Sequence, residues 1–157
     1  MSVDIKILLV EDNAADARLF AEALKGETTM DADLTVVKDG EEALDYLYKR
    51  GRHAGATRPH MIFLDLNLPK RSGHEVLEKI KSDEDLKRTP VVVLTTSRSP
   101  DDVNRSYELY ANAYLTKPSD LEQFLKVMEA MSYLLTSVTK LPEPAQSAAA
   151  VPIGEGN

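Results

Sequence analysis

Five short apolar runs, each followed by a stretch with helical periodicity, constrain the fold more than any other feature of the sequence. The runs cover residues 5–10, 34–37, 61–64, 91–94 and 113–116. Between them, apolar residues recur at the spacing of amphipathic helices. The run 91–94 is Val-Val-Val-Leu, without the polar alternation of a half-exposed strand, which is typical of strands buried on both faces. We therefore predict an α/β fold, a doubly wound parallel sheet of five strands flanked by five helices.

The composition excludes several classes of protein. A chain of 157 residues has room for one ordinary domain, and without cysteine it has no disulfide, thiolate metal site or cysteine nucleophile. Nineteen Lys and Arg against 26 Asp and Glu give a net charge of −7, which disfavours nucleic acid and anionic membranes as partners. No apolar run approaches the ~20 residues of a membrane span. Acids at positions 11 and 12 come too early for a signal peptide, so we expect a cytoplasmic protein.

The last 17 residues, 141–157, differ from the rest of the chain. They contain three prolines, four alanines and two glycines, but no Lys or Arg. Such a segment cannot assemble a buried face, so we predict a folded unit over 3–140 and a disordered tail over 141–157.

Charged and hydroxyl side chains follow four of the five predicted strands. Glu11 and Asp12 follow the first, Asp65 the third, Thr95 the fourth and Lys117 the fifth. In open α/β sheets the functional crevice lies at the carboxyl ends of the strands. Three carboxylates gathered there would repel one another unless cations neutralised them. An all-oxygen cluster with room for water suits Mg²⁺, and the ammonium of Lys117 is a second neutralising cation.

The same groups suit phosphoryl transfer. A carboxylate oxygen of Asp65 can attack an activated phosphorus and form an acyl phosphate. Mg²⁺ and Lys117 would neutralise charge on the phosphoryl oxygens. The Thr95 hydroxyl could donate a hydrogen bond to the attached group, although the adjacent Thr96 leaves this assignment open on spacing alone.

The sequence resembles the receiver domains of two-component response regulators, the CheY-like family, over residues 3–138. The resemblance rests on Val10-Glu11-Asp12, on Asp-Leu-Asn-Leu-Pro at 65–69, on Thr95, and on Tyr114 three residues before Lys117-Pro118. It implies a flavodoxin-like sheet with strand order 2-1-3-4-5. It also implies a protein that accepts a phosphoryl group from a sensor histidine kinase and is not a classical enzyme.

The resemblance implies roles at the acidic end of the site. Asp65 would be the phosphoacceptor, and Asp12 would bind Mg²⁺ directly with Glu11 assisting, through water. Asn67 would contribute its backbone carbonyl to the metal. Glu11 stands where many members of the family carry Asp, which moves the carboxylate by one methylene.

The resemblance also implies a switch. Thr95 and Tyr114 would form the switch pair, and Lys117 would hold the phosphoryl group. The signal would leave through the surface made by the fourth helix, the fifth strand and the fifth helix. The family often has a cis peptide at the position of the Lys117–Pro118 bond.

A narrower resemblance involves the segments 65–70, 86–90, 94–97 and 106–109 and the long basic loop before the third strand. These are similar to the stand-alone regulators that partner phytochrome-type histidine kinases. They imply a bacterial phytochrome as the kinase.

The last predicted helix has a wider apolar face than packing on one sheet requires, which motivates the prediction of a homodimer through this helix and the fifth strand. Its helical stripe comprises Leu121, Phe124, Leu125, Met128, Met131, Leu135 and Val138, with Val127, Tyr133 and Leu134 beside it.

Three alternative functions fit the site residues less well. A haloacid-dehalogenase-like phosphatase also uses an Asp nucleophile, but it needs a second Asp where this chain has Asn67. A flavodoxin-like nucleotide site needs glycines and free amides where Glu11 and Asp12 stand. A receiver used as a scaffold without phosphorylation is a third possibility.

Single residues also have structural interpretations. Asp12, Asn13 and Asp16 could be charges and caps at a helix N-terminus, and Asp65 a solvated loop residue. The three histidines, at 53, 60 and 74, are expected to be solvated rather than to act as ligands or phosphodonors.

Overall fold

The computed structural model describes residues 4–26, 31–133 and 140–144. Its strands are β1 (Asp4–Val10), β2 (Asp31–Val37), β3 (Met61–Leu64), β4 (Val91–Thr95) and β5 (Ala113–Thr116). Its helices are α1 (Ala14–Gly26), α2 (Gly40–Leu47), α3 (Gly73–Ser82), α4 (Pro100–Glu108) and α5 (Leu121–Tyr133), and a short 3₁₀ helix spans Gly51–His53. The strands form one parallel sheet in the order β2-β1-β3-β4-β5. This confirms the predicted sheet and its strand order.

Apolar layers cover both faces of the sheet. Side chains of α2 and α3, such as Leu47 and Ile80, pack on one face, and those of α1 and α5, such as Phe20 and Met128, pack on the other. All residues of β3 and β4 are buried, as a central parallel strand between two helical layers requires. The edge strand β5 is only half-buried.

Polar residues at the helix N-termini explain where helices begin. Ser72 and Glu75 form a reciprocal capping box on α3. Ser99 caps α4 by accepting the Asp102 N–H, and Pro100 occupies the first turn, as the sequence predicts. In the parts of the chain that the structure describes, none of the helices is long and apolar enough to cross a bilayer.

The structure differs from the sequence-based expectations at three places. Strand β2 begins at Asp31 rather than Leu34, because main-chain pairing with Asp4–Lys6 extends it through polar residues that show no apolar pattern. The Lys117–Pro118 bond is trans, the form favoured by ~0.5–1 kcal/mol for such bonds, whereas the family resemblance suggested cis.

The third difference is in α5, where part of the predicted apolar stripe lies outside the core. Phe124 and Met128 are buried, but Leu121 and Leu125 are exposed, because only one edge of the helix faces the sheet. The predicted continuation of the stripe at 134, 135 and 138 lies outside the described residues. Leu141 packs against the α1/α5 layer, and the rest of the predicted tail, 145–157, also lies outside the described ranges.

Candidate functional site

The parallel register brings the acidic residues after β1 and β3 to one edge of the sheet. Val10 is paired with Leu64, so the next residues, Glu11 and Asp65, leave adjacent strands at the same level. The backbone N–H of Asp65 donates to the Val10 carbonyl at 3.1 Å, and that of Glu11 donates to the Val37 carbonyl at 2.9 Å. Main-chain bonds therefore fix both carboxyl groups at the mouth of the sheet.

Three carboxylates form a cluster that could hold a metal ion. One oxygen each from Glu11, Asp12 and Asp65 lie within 4.8 Å of one another. Glu11 and Asp65 are buried, and Asp12 is exposed. A compact set of carboxylate oxygens with one side open to solvent fits a hard divalent cation that keeps part of its water shell. The structure thus brings together the three side chains that the sequence predicts as metal ligands.

Lys117 is the buried cation of the site. Its backbone N–H donates to the Thr95 carbonyl at 2.7 Å, which orients the residue after β5. Its ammonium donates to Glu11 Oε1, to Asp16 Oδ2 at 3.0 Å and to Asp65 Oδ2 at 3.1 Å. All three N–H groups of the ammonium are therefore taken by carboxylates.

Burial and charge act on the protonation of this cluster in opposite directions. Burial, together with the smaller effect of the Asp65 charge, raises the pKa of Glu11 to about 7 against the hydrogen bond from Lys117. Burial lowers the pKa of Lys117, but the bonds to Glu11 and Asp16 outweigh it and hold this pKa above its usual range. Lys117 keeps its hydrogen bonds to Asp16 and Asp65 when Glu11 binds a proton.

The loop after β3 encloses the Asp65 side chain. The Asn67 N–H donates to Asp65 Oδ1 at 3.2 Å, and Asn67 itself is exposed. Gly73, the first residue of α3, lies so close to this loop that a Cβ there would collide with the Asp65 carbonyl and stand 2.6 Å from the Leu66 Cα. The helix can approach Asp65 this closely because residue 73 has no side chain.

The predicted switch residues lie on β4 and β5 and share the loop that follows β4. Thr95 is fully buried, and its hydroxyl accepts the Ser97 N–H at 3.4 Å. The Tyr114 hydroxyl donates to the Ser97 carbonyl at 2.9 Å. The Ser97 hydroxyl in turn donates to Asp102 of α4 at 2.5 Å. One short loop thus connects Thr95, Tyr114 and the first turn of α4.

Sequence reasoning missed the contacts of two residues of this site. It gave Asp16 only a helix-terminal role and gave Gly73 none. Asp16 lies in the first turn of α1, shortly after Asp12, and that closeness in sequence is the signal that could have placed it near the site. The chain has no comparable signal for Gly73, because its close approach to Asp65 is visible only in the folded structure.

The three histidines are less exposed to solvent than the sequence suggests, and each has a polar neighbour. His53 lies 3.2 Å from Glu42, and His60 Nδ1 accepts the Lys6 N–H at 3.0 Å. His74 Nε2 lies 3.0 Å from the hydroxyl of the buried Ser106, between α3 and α4. Each ring is half-buried because it satisfies a polar group at the edge of the core.

Comparison with known proteins identifies the family. Residues 7–129 match the family described as response regulator receiver domain. The chain is 50% identical over 134 residues to the response regulator Rcp1 of Synechocystis sp. (strain ATCC 27184 / PCC 6803 / Kazusa), covering 85% of this chain and 90% of Rcp1. It is 42% identical over 139 residues to the probable methanogenesis regulatory protein FilR2 of Methanothrix harundinacea (strain 6Ac), covering 88% of each.

Two solved structures are similar over nearly their whole length. The Mn²⁺-bound form of Rcp1 has a TM-score of 0.84 and 47% identity, covering 88% of this chain and 99% of that one. The phosphorylated cyanobacterial phytochrome response regulator RcpA has a TM-score of 0.85 and 48% identity, covering 89% and 99%. Fold, acidic cluster and sequence agree: the chain belongs to the receiver-domain family of response regulators, and its relatives include phytochrome-associated members.

Proposed function

We propose that this chain is a phosphorylation-dependent switch whose phosphoacceptor is Asp65. The observation that carries the proposal is the environment of the Asp65 carboxylate. It lies in the cluster suited to a divalent cation, and its Oδ2 accepts a hydrogen bond from the Lys117 ammonium at 3.1 Å. A nucleophilic carboxylate between two cationic positions is what attack on an anionic phosphoryl group requires.

In the proposed transfer step, Asp65 attacks the phosphoryl group of a phosphohistidine donor. A carboxylate oxygen of Asp65 forms a bond to phosphorus while the phosphorus–nitrogen bond of the donor breaks. The electron pair of that bond stays on the imidazole, which leaves as a neutral ring because its other nitrogen carries the proton. Lys117 holds a phosphoryl oxygen by charge. Asp12, Asp65 and the Asn67 carbonyl would hold Mg²⁺, with Glu11 assisting through water, and the ion would supply charge neutralisation.

The output of the switch runs through the loop that carries Ser97. Thr95 would turn toward the attached phosphoryl group, and Tyr114 would give up its bond to the Ser97 carbonyl. Because the Ser97 hydroxyl bonds Asp102, the first turn of α4 responds to this movement. The surface made by α4, β5 and α5 would then change shape.

The proposed phosphodonor is a sensor histidine kinase of the phytochrome type. Support comes from the identity to RcpA, a cyanobacterial phytochrome response regulator. FilR2, a probable methanogenesis regulatory protein, is 42% identical to this chain, so the phytochrome-type donor is tested by comparing transfer rates between kinases. A phytochrome-type kinase should transfer phosphoryl to this chain much faster than an unrelated histidine kinase does.

We further propose a homodimer through α5 and β5. Three apolar side chains of α5, Leu121, Leu125 and Tyr133, are 53%, 40% and 63% exposed, and β5 is the half-buried edge of the sheet. An edge strand beside an exposed apolar helix face suits pairing with a second copy.

The phosphatase alternative is weaker at the site itself. Asn67 occupies the position of the second acid and cannot protonate a leaving group or act as a base. The only hydrolysis expected of the proposed switch is attack of water on its own acyl phosphate at Asp65. A scaffold that is never phosphorylated would not need Lys117 bonded to three carboxylates.

The proposal is tested by incubating the protein with Mg²⁺ and acetyl phosphate and measuring its intact mass. One phosphoryl group should be gained by the wild type, and none by Asp65→Asn or by the wild type with a chelator. The matched control is Asp33→Asn, an exposed aspartate paired with Lys6 on the surface, which should label fully. Folded wild type that gains no phosphoryl group would leave the scaffold alternative.

A further inference from the structure

We infer that Asp16 is a positioning residue for Lys117, and that it keeps the ammonium from closing the cation site. This inference rests on the function proposed above. Asp16 lies in the first turn of α1, and its Oδ2 accepts a hydrogen bond from Lys117 at 3.0 Å across 101 residues of sequence. Its own N–H is bonded to the Asn13 side chain at 3.0 Å, so the residue is fixed on the helix.

The three acceptors of Lys117 differ in the other tasks they have. Glu11 and Asp65 belong to the carboxylate cluster suited to a cation, and Asp65 is also the proposed phosphoacceptor. Among the described residues, Asp16 is the acceptor of Lys117 outside that cluster. It is therefore the partner whose role need not change when a cation binds or a phosphoryl group is attached.

Competition between two cations explains why a separate partner matters. The Lys117 ammonium and a divalent cation both need the oxygens of Glu11 and Asp65. A cation that enters weakens the bonds from Lys117 to those two carboxylates. With Asp16 present, the ammonium keeps a charged acceptor. Without that acceptor, Lys117 depends entirely on Glu11 and Asp65 and competes more strongly with the cation.

The exposure of Asp16 fits this role. Its side chain is 32% exposed, whereas those of Glu11 and Asp65 are 3% and 9% exposed. Water can solvate Asp16 when Lys117 moves, so the bond can lengthen at small cost. Glu11 is buried, so it can give up Lys117 only to another cation, since a buried carboxylate without a partner is far more costly.

The test is a double-mutant cycle on Mg²⁺ affinity, measured from the amide NMR shifts of the unphosphorylated protein. Asp16→Asn should weaken Mg²⁺ binding about three- to fivefold when Lys117 is present. In the Lys117→Met background the same substitution should change the affinity by less than about twofold, because only a distant charge is lost. Asp16→Ala provides a second variant that also removes the hydrogen-bond acceptor, and Glu22→Gln on α1 is the control.

The two backgrounds distinguish a positioning role of Asp16 from a simple effect of its charge. Equal weakening in the two backgrounds would show a simple charge effect and overturn the role of Asp16, as would no weakening in either. In both cases the proposed function would stand, because the wild type still binds Mg²⁺. A folded wild type without Mg²⁺-dependent shifts would contradict the proposed function and this inference with it.

Discussion

At the scale of single residues, the buried charge balance around Lys117 decides how the site behaves. Lys117 is 7% exposed, and its partners Glu11 and Asp65 are 3% and 7% exposed. Buried charges are tolerated only with close partners, and a site that loses one keeps an expensive remainder. Substitutions here should therefore act on stability and on cation binding together, with effects that depend on pH.

Wild type should lose stability as pH rises because Glu11 releases its proton, and Glu11→Gln should remove this pH dependence. Burial raises the folded-state pKa of Glu11 to about 7, so between 4.5 and 7 the folded chain holds a proton that the unfolded chain has released. This contribution is fully present below 4.5 and is lost as pH rises through 7. Between pH 4.5 and 8 the free energy of unfolding of metal-free wild type should fall relative to that of the Gln variant by an amount on the order of 2 kcal/mol, on top of a pH-independent cost of removing a charged partner of Lys117.

Urea unfolding of the two proteins at several pH values measures this difference. Mg²⁺ should reduce it at pH 8, because the wild-type carboxylate then has a cation to bind. Parallel stability curves for the two proteins across this range would contradict the assignment of a raised pKa to Glu11.

The sequence predicts the site unevenly at this scale. Glu11, Asp12, Asp65 and Lys117 are predictable because they lie within two residues of the end of an apolar run, and parallel strands end at one edge of the sheet. The hydrogen bond from Lys117 to Asp16 is not predictable from the sequence. It joins side chains 101 residues apart and depends on how the start of α1 sits against the residue that follows β5.

At the scale of elements, the approach of α3 to the loop after β3 positions Asp65. The helix begins at Gly73, whose backbone packs on the Asp65 carbonyl, and its N–H donates to the Leu66 carbonyl at 2.9 Å. The Ser72–Glu75 capping box fixes the start of the helix at that point. The loop after β3 and the start of α3 are therefore packed and hydrogen-bonded to each other.

Gly73→Ala should destabilise the protein by about 2 kcal/mol or more, because the new Cβ would meet backbone that cannot move freely. This reverses the usual gain of up to ~1 kcal/mol from Gly to Ala in a helix. The control is Gly55→Ala, since a Cβ at Gly55 meets nothing within 4 Å. It should leave stability unchanged or slightly raised.

Urea denaturation of both glycine variants provides the comparison. Equal stability of the two would show that α3 has room to move away from Asp65. The element boundaries themselves follow well from sequence where a cap is present, as at Ser99. They follow poorly at β2, where pairing extends the strand through polar residues 31–33.

At the scale of the whole molecule, two apolar layers support the sheet, and α5 shows apolar surface beyond its layer. The core side of α5 contains Phe124 and Met128, while Leu121 and Leu125 point away from it. Periodicity predicts that these residues share a broad face. It does not predict which part of that face the sheet covers, because that depends on the angle of the helix on the sheet.

Leu125→Glu should shift the protein from dimer to monomer without loss of fold. The side chain is 40% exposed in the single chain, so a charge there costs little until a second copy covers it. Sedimentation equilibrium at micromolar concentrations, with and without a phosphoryl mimic, measures the state. Lys79→Glu on α3, across the sheet, is the control and should remain dimeric. A monomeric wild type in both conditions would contradict the homodimer.

Locating the acyl phosphate in the chain shows whether Asp65 accepts the phosphoryl group. Borohydride reduces an aspartyl phosphate to homoserine, so the protein is phosphorylated in the presence of Mg²⁺, reduced, digested and sequenced by mass spectrometry. We predict homoserine at position 65 and unmodified aspartate at position 12. Homoserine at another position, or intact Asp65 in protein that has gained a phosphoryl group, would show that another residue accepts the phosphoryl group.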